Sequence, residues 1–147
     1  MNLKEKINED LKNAMKVKDK ETLSVLRMVK ADIQLKSIDK KEAITDDDII
    51  TIISKQIKTR RDSNKEFEKG NRQDLIEKNN NEISILNRYM PKQMDSSEIE
   101  KIIDEKIRET YAKDISDMGP LMKILKPIFL GKADMSTVSE ILRNKLK

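Results

Sequence analysis

The stretch Asp114–Lys147, DISDMGPLMKILKPIFLGKADMSTVSEILRNKLK, decides the fold, because four of the chain's six glycines and prolines fall in it: Gly119, Pro120, Pro127 and Gly131. A glycine marks a turn or a close backbone approach and a proline marks an element boundary, so this punctuation predicts two short helices joined by a tight bend. The first begins at Ser116 or Asp117. Pro120 is tolerated only in a first turn, where a missing N–H costs nothing, which favours Asp117. This helix puts Met118, Leu121, Met122 and Leu125 on one face and is expected to stop at Pro127. The second opens at the cap Asp134, with Thr137 three residues on, and carries Val138, Ile141, Leu142 and Leu146 inward. Between them, Phe129–Ala133 supplies an apolar pair followed by Gly131, suited to positive φ. Helices this short cannot bury their apolar faces alone and need a third.

The third lies just upstream. Asp95-Ser96-Ser97-Glu98 has the form of a capping box and opens a helix with Ile99, Ile102, Ile103 and Ile107 on one side. Pro91 closes what comes before. Leu3, Ile7, Leu11 and Met15 recur at steps of four, predicting a first helix that ends near Lys18. Asp19 then caps a second, whose Leu23, Leu26, Val29 or Lys30, and Ile33, widened by Val25 and Met28, indicate burial against two neighbours. Asp39–Glu42 is a polar break. Thr45–Asp48 reads as another capping box, with acidic charge favourable at the positive helix end, before a helix with Ile49, Ile52, Ile53 and Ile57 inward. That helix is expected to reach Lys69, where Gly70 supplies a left-handed stop. A fourth runs from Arg72 to Met90 with Leu75, Ile76, Ile83, Leu86 and Met90 inward, and Asn79-Asn80-Asn81 is its weak point. The expected architecture is all-α: a four-helix N-terminal domain over residues 1–91 and a three-helix C-terminal domain over 95–147.

Composition narrows the chemistry. The 147 residues are 39% charged and 36% apolar, a profile of amphipathic helices. Four aromatics, Phe67, Tyr89, Tyr111 and Phe129, beside eight methionines imply an aliphatic core with soft gap-fillers. With no cysteine there is no disulfide framework, thiol nucleophile or thiolate metal site, and with no histidine the commonest metal ligand and near-neutral base are gone. Neither a nucleotide-cradling glycine loop nor a nucleophile elbow is present. The expectation is therefore no catalytic residue, no cofactor and no metal. Asp46-Asp47-Asp48 suggests magnesium at first sight, but adjacent carboxylates on one turn point apart and fit capping better. Tyr89 and Tyr111, near element ends, are expected to bury their rings and wet their hydroxyls. Lacking an apolar run of membrane length and a signal-peptide core, the chain is expected to be soluble and cytoplasmic.

Charge is the remaining handle. The formal +4 falls entirely before residue 95, since 95–147 holds ten bases and ten acids. Lys58, Arg61, Lys65, Lys69 and Arg72 recur at steps of three and four and would align as a basic stripe if the helix persisted past Gly70. The stripe is either a solvated face laced with ordinary salt bridges or an electrostatic support for RNA. Lys123, Lys126 and Lys132 surround the Pro127–Gly131 bend with no acid among them, and a bend with free N–H groups beside three lysines is a candidate phosphate seat. The plain alternative is that the lysines only keep the bend soluble. Few aromatics argue against base stacking and leave shape recognition of a folded RNA open.

At these residues the chain also resembles a known family. The pattern Asp117-Met118-Gly119, Met122, Pro127, Gly131-Lys132-Ala133-Asp134 and the amphipathic end from Val138 to Leu146 is similar to the C-terminal signature of the YqeY-like family. That family is similar in turn to the tail of GatB, the B subunit of the tRNA-dependent Asp/Glu amidotransferase. Leu23–Arg27, Arg72–Leu75 and Tyr89-Met90-Pro91 extend the resemblance over the whole chain, while Pro120 departs from it where a basic residue is more usual. The resemblance implies a stand-alone tRNA-binding or tRNA-associated module, because the amidotransferase chemistry lies in a large domain and a partner amidase that are absent here. On that reading Asp117, Gly119, Pro127, Gly131 and Asp134 hold the shape, and Lys123, Lys126 and Lys132 contact backbone phosphate. Two alternatives stay open: a component of a carbon–nitrogen ligase system with glutamine as amido-N-donor, and a helical adaptor that docks a protein and never touches RNA.

Overall fold

The structure is a computed structural model that describes residues 2–147. Among the described residues all regular structure is helical: α1 (Leu3–Lys16), α2 (Lys20–Asp39), α3 (Asp46–Lys69), α4 (Gln73–Asn87), α5 (Ser96–Thr110), α6 (Met118–Phe129) and α7 (Met135–Leu146). One 3-10 turn, Ile115–Asp117, leads into α6. Two compact units divide the chain between Met90 and Pro91.

In the first unit each of the first three helices starts on a side-chain oxygen that takes an otherwise orphaned N–H. Asn2 accepts from Glu5, Asp19 from both the backbone and the hydroxyl of Thr22, and Thr45 from Asp48 in a full capping box. The core gathers Ile7, Val25, Leu26, Val29, Ile53 and Leu86, none more than 1% exposed. Burying one such side chain contributes roughly 1.5–3 kcal/mol, so this cluster stabilises the unit far more than any of its exposed ion pairs.

Three expectations fail here for local reasons. Met15, placed on the buried stripe, is exposed and Ala14 is buried instead. Steps of four drift by about 40° each around a helix of 3.6 residues per turn, so Ala14, seven residues after Ile7, stays on its face while Met15 rotates off it. Gly70 is not the left-handed stop: its φ is −92°, and Asn71 takes the left-handed conformation at φ 54°. The helix still ends at Lys69, because Asn tolerates that conformation better than most residues. Met28, expected to be buried, is exposed along with Leu35 and Ile38 on the outer face of α2.

The asparagine run does not break α4. Asn79 donates to the carbonyl of Arg60 and to Asn64 Oδ1, and Asn64 donates to Asn80, so the polar amides stitch α3 to α4. After Asn87 the chain turns and buries Tyr89, whose hydroxyl donates to Asp10 at 2.6 Å. The helix is thus shorter than the expected 72–90 span at both ends.

The second unit is a three-helix cluster with its own core, in which Ile103, Leu125, Phe129, Val138 and Leu142 are fully buried. Its first helix opens on the Asp95–Glu98 capping box. It closes at Tyr111, which adopts a left-handed φ of 57° and is 84% exposed, so this ring is not buried as expected. Pro127 does not stop α6, which continues to Phe129. Pro127 and Lys123 are both exposed, so the carbonyl freed by the missing N–H faces water, while buried Leu125 and Phe129 anchor the last turn.

Candidate nucleic-acid interface

The bend after α6 is built from backbone bonds. The N–H groups of Lys132 and Ala133 both donate to the carbonyl of Phe129, at 2.8 and 3.2 Å. Gly131 sits at φ 71°, as its place in the sequence suggested, and is buried. The segment after Pro91 closes over it: Met94 N–H donates to the Lys132 carbonyl at 2.9 Å, and the Gln93 amide donates to the Gly131 carbonyl. Two of the amides counted on for a phosphate seat are therefore already used, which leaves side chains a larger share in holding any anion here.

Those side chains are available. Lys123 and Lys126 are exposed on the outer face of α6, three residues apart and so on adjacent positions of the helix surface, and Lys132 is half-buried in the bend that follows. None of the three lies within ion-pair distance of a carboxylate among the described residues. Elsewhere in this unit Lys145 is held by both Glu100 and Asp104 at 2.9 Å, and Lys106 by Glu109 at 2.9 Å. The acids nearest in sequence are committed to backbone. Asp117 accepts from the N–H of Lys113, Asp114 from that of Ser116, and Asp134 from that of Ser136 at the start of α7. The Ser116 hydroxyl, and then the Ser116 N–H, hold the Asp114 carboxyl below its usual range. Gly119 has open space where a side chain would go, so nothing around it requires a glycine.

The stripe on α3 is weaker than its spacing suggested. α3 ends at Lys69, so Arg72 leaves the row; it stands at the N-cap position of α4 without a side-chain capping bond and grips Asp74 through two hydrogen bonds. Lys58 is paired with Asp62 at 3.0 Å and Lys69 with Glu66 at 3.4 Å. Only Arg61 and Lys65 of the five make no ion pair among the described residues.

The aspartate triplet works as capping. Asp48 completes the box with Thr45 and pairs with Lys40, while Asp46 reaches across to accept from the N–H of Leu3 at 3.0 Å. The carboxylates point to different partners.

A polar cluster that the sequence reading did not single out lies in the first unit. Arg60 is 7% exposed; its guanidinium donates to the Gln56 carbonyl at 3.1 Å and approaches Glu82 at 3.5 Å and the Met28 sulfur at 3.5 Å. Gln56, also buried, donates to Asp32 at 2.7 Å. The signal was present: Gln56 and Arg60 continue the inward spacing of Ile49, Ile53 and Ile57, but a charged residue in that register reads as a surface one.

The whole of this framework, both units and the bend included, matches one family model, described as Yqey-like protein, over residues 4–146. The chain belongs to the YqeY-like family. Similar proteins include three fungal ones, each called altered inheritance of mitochondria protein 41, mitochondrial. That of Kluyveromyces lactis is 35% identical over 133 residues, covering 90% of this chain and 69% of the relative. That of Pyrenophora tritici-repentis is 34% identical over 126 residues, 82% of this chain and 70% of the relative. That of Candida glabrata is 31% identical over 137 residues, 91% and 72%. This YqeY-like chain thus spans about seven tenths of the length of those relatives.

Proposed function

We propose that the chain is a tRNA-binding or tRNA-associated accessory module, similar to the tail of the GatB amidotransferase subunit, that holds RNA by its phosphate backbone. The observation that carries the reading is the trio Lys123, Lys126 and Lys132, three ammonium groups on consecutive segments that no carboxylate pairs with among the described residues, while neighbouring acids are tied to backbone N–H groups. Unpaired lysines on a rigid helix and a pinned bend attract a polyanion without reading its sequence. Arg61 and Lys65 add electrostatic support in the first unit. The cytoplasm is the compartment we propose, and the fungal relatives' names place those proteins in mitochondria.

The test is binding of the pure full chain to bulk tRNA, followed by fluorescence anisotropy at stepped salt. Affinity should fall steeply as salt rises, and the Lys123/Lys126/Lys132 triple alanine variant should show a log–log slope shallower by about two to three. Absent or salt-insensitive binding would sink the reading and favour a helical adaptor. A ligase role, with glutamine as nitrogen donor, is checked by incubating the chain with charged tRNA, ATP and glutamine; no amide product is expected.

A further inference from the structure

Helix α2 carries two apolar faces, one packed into the core of its unit and one largely exposed among the described residues. Val25, Leu26, Val29 and Ile33 face the core. On the opposite side Ser24, Met28, Ala31, Leu35 and Ile38 follow one another at steps of four, three, four and three, and all five are exposed. Met28 is 50%, Leu35 63% and Ile38 79% exposed. An alternation of four and three averages 3.5 residues, the spacing with which a helix presents one face to a neighbouring helix.

A shallow, open hollow lies between side chains of this face. It is lined by Lys20, Leu23, Ser24, Arg27, Met28 and Ala31. Those residues form two overlapping sets spaced i, i+3, i+4 and i+7, the four-residue frame that receives a knob from a facing helix. Ser24 and Ala31 are small, so the frame they share with Arg27 and Met28 has room for a long, unbranched side chain. Met28 is such a side chain, and to enter the frame it gives up the contact of its sulfur with Arg60 at 3.5 Å.

We infer that α2 is a dimerisation seam that pairs in parallel and in register with α2 of a second copy. With Met28 and Leu35 at a and Ser24, Ala31 and Ile38 at d, the Ser24–Arg27–Met28–Ala31 frame is the one that accepts an a-position knob from a parallel partner. Met28 of the second copy fills it, so the surface is complementary to itself. Charge agrees: Arg27 falls at g and Asp32 at e of the next heptad, and a parallel pair sets g against e. Arg27 of each copy then meets Asp32 of the other, twice by symmetry. Arg27 makes no ion pair among the described residues. In an antiparallel pair, with residue 24 opposite residue 38, Arg27 would instead lie beside Gln34 of the other copy and meet no carboxylate. The seam is short, about 21 Å from residue 24 to residue 38. Its helix is already folded on the core, so pairing does not bear the cost of ordering it, and a reversible dimer of modest affinity is expected.

Sedimentation velocity of the full chain over a wide concentration range tests this. A monomer–dimer equilibrium is expected, and Leu35→Glu should weaken it by at least about tenfold, since it puts two charges into the seam. Leu35 is exposed in the single chain, so circular dichroism and melting of this variant should stay unchanged. The orientation is read separately. Because the chain has no cysteine, Ser24→Cys gives one thiol per copy; a parallel seam brings the two together and yields a covalent dimer under mild oxidation, whereas an antiparallel seam sets residue 24 opposite 38. A chain that stays monomeric at high concentration, a dimer indifferent to Leu35→Glu, or a Ser24→Cys chain that does not cross-link would each overturn the proposal. So would a chain that is monomeric alone but binds a different helical protein on this face.

Discussion

Asn71 shows how much one backbone angle decides. Gly70 holds an ordinary φ of −92°, and a methyl added to it would meet nothing closer than 3.7 Å. Gly70→Ala should therefore leave stability unchanged or raise it by about 0.5 kcal/mol, because it restricts the unfolded chain. Asn71→Ala, at φ 54°, should cost about 1 kcal/mol. Urea denaturation of the pair checks both, and the reverse order would contradict the assignment of the turn. Asp48 offers a pH test at the same scale. The Lys40 ammonium and then the Thr45 N–H pull its carboxyl from the ordinary 3.8 down to about 2. A folded pKa below the unfolded one stabilises above the ordinary value and loses that contribution as pH falls from about 4 to about 2. Asp48→Asn should be less stable at neutral pH and lose less stability than the parent across that acid window. Equal acid sensitivity of the two chains would refute the coupling.

At the scale of elements, the contact of α3 with α4 combines apolar packing with the buried guanidinium of Arg60. Glu82 is its only carboxylate partner among the described residues, and the two side chains are 9% and 15% exposed. Glu82→Ala leaves a buried charge uncompensated and should destabilise by about 3 kcal/mol. Glu82→Gln, which keeps an acceptor, should cost clearly less. Thermal or denaturant melts separate them, and a neutral Glu82→Ala would show that water already compensates Arg60. Helices α2 and α6 make a related point. Each was expected to obey a single rule, burial of its apolar residues or termination at proline, and each departs where solvent satisfies what the rule forbids.

For the molecule as a whole, the buried clusters are separate: no residue of the core around Leu86 and Ile53 belongs to the core around Phe129 and Leu142. We propose that the two units are independent domains. A fragment of residues 91–147, about 60 residues long and at the lower limit for a stable single core, should still melt cooperatively and give a helical spectrum. A fragment without a cooperative transition would show that the second unit depends on the first. The lysine trio lies within this fragment, so salt-dependent tRNA binding should survive in it.

The sequence alone determined the helices and most of their ends, because caps, capping boxes and apolar spacing act through bonds and contacts within a few residues; Asp19, Thr45, Asp95 and Asp134 all cap where their side chains allow. It also located the three lysines and the positive φ of Gly131. What it left open depends on residues far apart in the chain. The bend is covered because Met94 and Gln93 donate to the carbonyls of Lys132 and Gly131, Arg60 is buried because Glu82 answers it from another helix, and the outer face of α2 is bare because α1, α3 and α4 all pack elsewhere on it. Spacing tells which residues share a face; only the folded chain decides which faces find a neighbour and which are left to water or to a partner.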